Sequence, residues 1–161
     1  LLCNIFKVKI IKMKNTENGQ CHCGKITYKF NRQKIISAHH CHCSDCQKIT
    51  GSGKATIIYV PKKHIEINGE VKFYQVKGSS GLGVRRGFCE NCGSGIYSYL
   101  KELPHILFVK AGTLEDSSWL TIDSNFFTDS AKSWSMPDQS LKSFNKNPGI
   151  ASTIKTLIKS F

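Results

Sequence analysis

Short runs in which apolar and polar residues alternate dominate the chain, and a period of two is typical of β-strands. The alternation predicts strands at residues 26–30 (ITYKF), 55–60 (ATIIYV), 64–67 (HIEI), 71–76 (VKFYQV) and 96–100 (IYSYL). Turn-forming residues separate them, for example the NGE at 68–70 and the glycine-rich stretch at 78–83. Such short connections favour hairpins over helical crossovers. We therefore predict a mainly β fold built from antiparallel sheets.

The two ends of the chain depart from this alternation. The first residues, LLCNIFKVKIIKMK, are apolar with interspersed lysines and lack both an uninterrupted signal-peptide core and a small-residue cleavage site. Between Ile150 and Phe161, apolar residues recur at helical spacing, so this segment is either a helix or a frayed end with an apolar face. We predict a leader over 1–18, in which Cys3 is an unused thiol, a core domain over 19–137 and a tail over 138–161.

Composition narrows the class of protein. A chain of 161 residues with 40% hydrophobic content suits one globular domain, and lysines interrupt every apolar run before it reaches the length of a membrane span. We therefore predict a soluble protein. The net charge of +12 raises nucleic acid as a partner. Because the lysines are scattered and no basic–aromatic signature accompanies them, we favour a solvated basic surface over a nucleic-acid site.

Seven of the eight cysteines fall into three clusters with the spacing of metal ligands. They are Cys21 and Cys23 (C-x-C), Cys41, Cys43 and Cys46 (C-x-C-x-x-C), and Cys89 and Cys92 (C-x-x-C). In such pairs both sulfurs can face one tetrahedral metal if the chain turns, and Gly24 and Gly93 supply that freedom. The two pairs complete a four-cysteine site. We predict that it is a structural zinc site joining an early strand to a late hairpin, and we favour metal binding over disulfides because seven cysteines cannot all pair.

The remaining cluster, Cys41, Cys43 and Cys46, has no fourth cysteine in the core domain. Three protein ligands with an exchangeable fourth position are typical of catalytic zinc, whereas structural zinc is normally saturated. Four neighbouring residues offer an alternative, because any of them could complete a second structural site: His39, His40, His42 and Asp45. Spacing alone leaves both interpretations open.

Four motifs occur in order along the chain: CHCGKITYKF (21–30), CHCSDCQKITGSG (41–53), RRGFCENCGSGIY (85–97) and VKAGTLED (109–116). Together they resemble the glutathione-dependent formaldehyde-activating enzyme family, whose domain is shared with centromere protein V, over residues 19–137. The resemblance implies sheets organised around a zinc site, similar to methionine sulfoxide reductase B. It also implies that the four-cysteine site holds a structural zinc and that Cys41, Cys43 and Cys46 hold a catalytic one. Asn125 and Phe126 stand where the family usually has a His-Ile pair. We expect this difference to bear on the identity of the substrate more than on the metal sites.

The implied activity is that of a zinc-dependent carbon–sulfur lyase, which forms or cleaves a thiol–aldehyde adduct such as S-hydroxymethylglutathione. A soft thiolate suits the fourth position of a zinc held by three cysteines. His42 or Asp45 is a candidate to move the proton of the new hydroxyl. Arg85 and Arg86 are candidates to bind a substrate carboxylate, but neighbours on a strand point to opposite faces, so at most one would do so. Trp134 could pack in the core, form a lid over the cleft or contact the substrate, and we favour packing.

A different class of function also fits the sequence. The chain could be a non-catalytic zinc-stabilised binding module for chromatin or protein partners, as the likeness to centromere protein V allows. Under the enzyme hypothesis the partner is a small thiol such as glutathione; we expect no membrane partner, and we disfavour nucleic acid. Zinc–thiolate chemistry and the lack of an export signal predict a reducing, cytoplasmic location.

Overall fold

The computed structural model describes residues 15–78 and 81–148, so most of the predicted leader and the apolar positions from Ile150 to Phe161 lie outside the described residues. Within these ranges the strands are β1 (Thr16–Gln20), β2 (Thr27–Asn31), β3 (Ser37–Cys41), β4 (Ala55–Pro61), β5 (Ile65–Asn68), β6 (Lys72–Lys77), β7 (Gly83–Phe88), β8 (Gly95–Leu100), β9 (Leu103–Lys110), β10 (Ser124–Phe126) and β11 (Lys142–Phe144). The α-helix of the described part is α1 (Ser44–Thr50), and short 3-10 turns cover Arg32–Lys34, Lys62–His64, Ala111–Thr113 and Thr128–Ser130.

The strands form two sheets. One has three strands in the order β1-β2-β5, and the other has eight in the order β11-β10-β3-β4-β9-β8-β7-β6. The prediction of a mainly β fold is confirmed. Most neighbouring strands are antiparallel, but β10 runs parallel to both β3 and β11, so the larger sheet is mixed. Parallel neighbours need a long connection, and here most of the sheet intervenes between β3 and β10 along the chain.

All five strands predicted from alternation are present, each within one or two residues of its predicted bounds. On β2, Tyr28 and Phe30 are buried whereas Thr27 and Lys29 are exposed, which is the pattern expected of a strand with one face on the core. The smaller sheet begins at Thr16, before the predicted start of the core domain. β11 lies inside the predicted tail and pairs with β10.

The main core lies between the two sheets. Phe30 of the smaller sheet belongs to the same buried cluster as Ile58, Val60, Ile96 and Val109 of the larger sheet. These aliphatic residues are fully buried, and burying such side chains supplies the main driving force for folding. The two sheets therefore hold each other in place and position the turns that carry the cysteines.

Trp134 does not pack in this core. It is 71% exposed, so its interpretation as a packing residue is wrong. It lies between the 3-10 turn Thr128–Ser130 and β11, outside the strands of both sheets. In the described part of the chain, no helix is long and apolar enough to cross a membrane.

Candidate metal centres

The two outer cysteine pairs meet in space. Cys21 and Cys23 lie in the turn between β1 and β2, and Cys89 and Cys92 lie in the turn between β7 and β8. Their four sulfurs lie within 4.8 Å of one another, with 3.5 Å between Cys21 Sγ and Cys23 Sγ and 3.7 Å between Cys23 Sγ and Cys89 Sγ. Sulfurs at about 2.3 Å from a tetrahedral zinc are about 3.8 Å apart. The four-cysteine group therefore fits one such ion.

Both pairs use the same kind of turn. Gly24 has a φ of 74° and Gly93 a φ of 75°, a left-handed conformation that favours glycine. The amide of Gly24 donates to Cys21 O at 3.0 Å, and the amide of Gly93 donates to Cys89 O at 2.8 Å. The Ser94 hydroxyl, 3.3 Å from Cys92 Sγ, lowers the pKa of Cys92 to about 5, which favours the thiolate that a metal binds. The role predicted for the two glycines is confirmed.

The third cluster is built at the start of α1. Cys41 ends β3, Cys43 is the N-cap of α1, and Cys46 lies in its first turn, where its amide donates to Cys43 Sγ at 3.4 Å. All three side chains are buried, and their sulfurs lie within 4.8 Å of one another. The spacing C-x-C-x-x-C thus corresponds to a strand end, a helix cap and a first helical turn. We call Cys41, Cys43 and Cys46 the three-cysteine group.

The neighbouring histidines are held away from the three-cysteine group. The two ring nitrogens of His39 lie 2.8 Å from Ser37 Oγ and 2.9 Å from Ser124 Oγ, and burial lowers its pKa to about 4, so the ring is neutral. His40 Nδ1 lies 3.0 Å from Thr56 Oγ1. His42 is fully buried and does not line the cleft described below, so it cannot transfer a proton to a molecule bound there.

Asp45 is also engaged elsewhere. Its Oδ2 accepts a hydrogen bond from Arg86 Nη2 at 3.3 Å, and Arg86 is itself buried. Among the described His, Cys, Asp and Glu residues, none joins the three sulfurs as a fourth metal-ligating group. The geometry therefore favours three protein ligands over a saturated second site.

The three thiols differ in how readily they ionise, because each affects the pKa of the others. Hydrogen bonds from Cys41 and Cys43 lower the pKa of Cys46 to about 2, and the nearby charges of Lys110 and Arg86 favour its thiolate further. Hydrogen bonding with Cys43 and Cys46 raises the pKa of Cys41. All seven described cysteines are free thiols. A cation would allow all three to ionise, and sulfur donors suit zinc, copper(I) or iron.

A cleft of about 100 Å³ opens beside the three-cysteine group. Its wall is aromatic: the rings of Tyr59 and Phe108 lie 4.5 Å apart, and Phe126 stacks on His39 at 4.2 Å. Phe126 thus faces the cleft, whereas the Asn125 side chain points away from it. Asn125 Nδ2 donates to Asp138 O at 2.9 Å and to Ser143 Oγ at 3.0 Å.

Two cationic side chains, Arg86 and Lys110, also line the cleft. Arg85 lies on the opposite face of β7, with its guanidinium 5.2 Å from the centre of the Phe73 ring, so the prediction that the two arginines diverge is confirmed. Sequence reasoning missed Lys110. The sequence did contain a signal for it: Lys110 is a single charged residue at the end of the apolar run ILFV, directly before the motif AGTLED.

The chain is similar to known proteins in sequence and in fold. A family model described as glutathione-dependent formaldehyde-activating enzyme matches residues 16–130. A crystal structure of a Rhodobacter sphaeroides protein is similar with a TM-score of 0.50 and 20% sequence identity, over 63% of this chain and 90% of that one. This likeness concerns the fold alone. No curated protein matches the sequence. Because the family model spans well over half of the residues, the chain belongs to the glutathione-dependent formaldehyde-activating enzyme family.

Proposed function

We propose that this protein is a zinc-dependent carbon–sulfur lyase that forms or cleaves a thiol–aldehyde adduct such as S-hydroxymethylglutathione. One observation carries the proposal: three buried sulfurs converge beside a cleft, and no other potential ligand among the described His, Cys, Asp and Glu residues joins them. This arrangement leaves one coordination position for a ligand from outside the chain. The family to which the chain belongs supports a thiol as that ligand.

The two cysteine groups have different roles in this proposal. Cys21, Cys23, Cys89 and Cys92 hold a structural zinc, because four sulfurs saturate a tetrahedral ion. Cys41, Cys43 and Cys46 hold the catalytic one. Zinc is favoured over copper(I) or iron because it supplies Lewis acidity without redox chemistry, and the reaction transfers no electrons. Free thiols at all seven positions suit a reducing, cytoplasmic compartment.

The residues around the cleft would assist the reaction in several ways. When bound, zinc supplies a Lewis acid that keeps an incoming thiol in its thiolate form. Lys110 and Arg86 stabilise negative charge beside the three-cysteine group, while Tyr59 and Phe108 limit the access of water. The substrate sulfur forms a bond to the carbonyl carbon, and the proton that the thiol has lost is transferred to the carbonyl oxygen, which becomes a hydroxyl. Asp45, which lines the cleft beside Arg86, is the group placed to move that proton.

The proposal is tested by replacing both zinc ions with cobalt, whose visible absorption reports its ligands. Reduced glutathione should change the spectrum, because a fourth sulfur enters one site, while S-methylglutathione, which has no free thiol, should leave it unchanged. In parallel, the zinc-loaded protein should accelerate adduct formation from formaldehyde and glutathione, followed by NMR. A spectrum that does not respond to thiols, together with salt-sensitive DNA binding, would favour the non-catalytic binding module instead.

A further inference from the structure

One row of side chains crosses the larger sheet along the cleft. Tyr59 of β4 lies opposite Phe108 of β9, Phe108 lies opposite Ser98 of β8, and Ser98 lies opposite Arg86 of β7. Residues directly opposite each other on neighbouring strands point to the same face of a sheet, and all four of these residues line the cleft. The row therefore runs from a phenol at one side of the cleft to a guanidinium at the other.

Several polar groups that line the cleft are already engaged within the site. Both ring nitrogens of His39 lie within hydrogen-bond distance of serine hydroxyls. Arg86 donates to Asp45, and the charges of Arg86 and Lys110 favour the thiolate of Cys46. Because their hydrogen bonds and charges serve the site itself, these groups are poorly suited to meet new charge on a bound molecule.

The hydroxyl of Tyr59 is different. It has no hydrogen-bond partner in the described part of the chain, and its oxygen is not among the buried polar atoms that are closed to solvent. The side chain packs against the buried cluster that contains Cys41, Cys43 and Cys46. A phenol has a pKa of about 10, so it keeps its proton at neutral pH. The cleft thus presents an unpartnered O–H donor beside the three-cysteine group.

Ser98 also has a hydroxyl on the cleft, but it lies farther from Cys41. Cys41 ends β3, which is the direct neighbour of β4, whereas β4 and β9 separate β3 from β8. Neighbouring strands are about 4.8 Å apart, so Ser98 starts roughly 10 Å farther across the sheet than Tyr59 does. Tyr59 is therefore the better placed of the two hydroxyls.

The proposed reaction needs such a donor. As the sulfur–carbon bond forms, the π electron pair of the carbonyl moves onto its oxygen, which gains negative charge. A fixed O–H or N–H donor aimed at that oxygen stabilises the transition state, above all where water is excluded. Asp45 does not fill this role as a carboxylate, since an ionised carboxylate only accepts hydrogen bonds.

We propose that Tyr59 is a catalytic residue whose hydroxyl donates a hydrogen bond to the carbonyl oxygen of the aldehyde as the adduct forms. Tyr59 keeps its own proton, and the proton that the thiol has lost reaches the oxygen through Asp45. When the adduct is cleaved, the same donor holds the oxygen while the carbon–sulfur bond breaks. This inference rests on the proposed function and adds a group that acts on the aldehyde, whereas the three-cysteine group acts on the thiol.

The test is Tyr59→Phe in the zinc-loaded full chain, which removes one oxygen atom without a protein partner. Adduct formation from formaldehyde and glutathione is followed by NMR, and the spontaneous rate is subtracted. We expect kcat to fall about a hundredfold, the usual loss for one such donor, with the KM for glutathione and the Tm unchanged. Tyr97→Phe is the matched control, because it removes the same atom from a tyrosine of β8 that does not line the cleft. It should keep the wild-type kcat.

The cobalt-loaded proteins show whether Tyr59 is instead a metal ligand. Tyr59→Phe and the wild type should have the same absorption spectrum, both before and after glutathione is added. A variant spectrum that already differs without thiol would mean that the phenol binds the metal, and the inference would be wrong.

The kinetic outcomes separate the two proposals. If the wild type is active and Tyr59→Phe keeps kcat within about twofold, Tyr59 is not catalytic, although the proposed function stands. If the wild type does not accelerate the reaction, the proposed function is wrong, and this inference is wrong with it. Tyr59→Leu, which also lacks the donor, replaces Tyr59→Phe if that variant does not fold, and the same loss of kcat is expected.

Discussion

Cys43 has two roles, since it caps α1 and belongs to the three-cysteine group. Serine is a good N-cap, so Cys43→Ser keeps the cap but removes a thiolate ligand. We expect the variant to fold, to bind one zinc ion where the wild type binds two, and to lose adduct formation. Metal content per chain, circular dichroism and the NMR assay measure these three effects.

The control is Cys43→Ala, which removes the ligand and the cap together. It should be less stable than Cys43→Ser by about 1 kcal/mol, the usual contribution of an N-cap side chain. If Cys43→Ser unfolds the protein, the three-cysteine group is structural and the lyase proposal fails.

Residue by residue, the sequence indicated the metal sites better than their surroundings. The cysteines were found because ligands of one ion come in close pairs along the chain, a local signal. Whether His39 or Asp45 would bind the same ion could not be predicted in this way, because it depends on partners that are distant in the sequence. Ser124, which holds the His39 ring, is 85 positions away, and Arg86, which pairs with Asp45, is 41 positions away. Such partners become visible only once the fold brings them together.

At the scale of elements, β10 shows where sequence patterns fail. It has three residues, Ser124–Phe126, all buried, so it has no alternation to detect. Its parallel partners, β3 and β11, flank it on both sides. Yet this strand places Ser124 against His39 and Phe126 in the cleft. The longer strands were predicted because their alternation is a property of the segment itself.

The side chain of Asn125 joins β10 to β11 and the segment before it. It is fully buried, and its amide donates to Asp138 O and to Ser143 Oγ. Asn125→Leu removes both hydrogen bonds, so we expect the free energy of unfolding to fall by about 2 kcal/mol. Ser143→Ala removes one partner only and should lower it by about 1 kcal/mol. Urea unfolding measures both losses, and equal losses would show that the bond to Asp138 O adds nothing to the stability.

At the scale of the whole molecule, Tyr28 links the smaller sheet to the segment after β9. Its hydroxyl lies 2.8 Å from Thr113 Oγ1, and burial raises the pKa of Tyr28 from 10.0 to about 12. The unfolded chain therefore loses this proton at lower pH than the folded protein does. The stability that the neutral phenol contributes is complete below pH 10 and declines as the pH rises toward 12. Tyr28→Phe should lack this decline.

Urea unfolding of the wild type and of Tyr28→Phe between pH 8 and about pH 12 tests this link. At pH 8 the variant should be less stable by about 1 kcal/mol, because it lacks the bond to Thr113. The difference should shrink above pH 10, where the wild type loses its advantage. Two curves that stay parallel over the whole range would show that the phenol does not titrate differently in the folded state.

The four-cysteine group is a further link between the sheets, since one pair follows β1 and the other follows β7. If it holds a structural zinc, the binding free energy of that ion is part of the folding free energy. Cys89→Ser changes one buried atom and leaves no cavity, so packing alone predicts a small effect. We expect instead a loss of one zinc ion and a fall in Tm of more than about 10 °C, which calorimetry and metal analysis measure together. Because Cys43→Ser also removes one zinc ion but should keep the fold, the two variants form a matched pair. A Cys89→Ser protein that loses its metal and still melts near the wild type would mean that the sheets hold together without this ion.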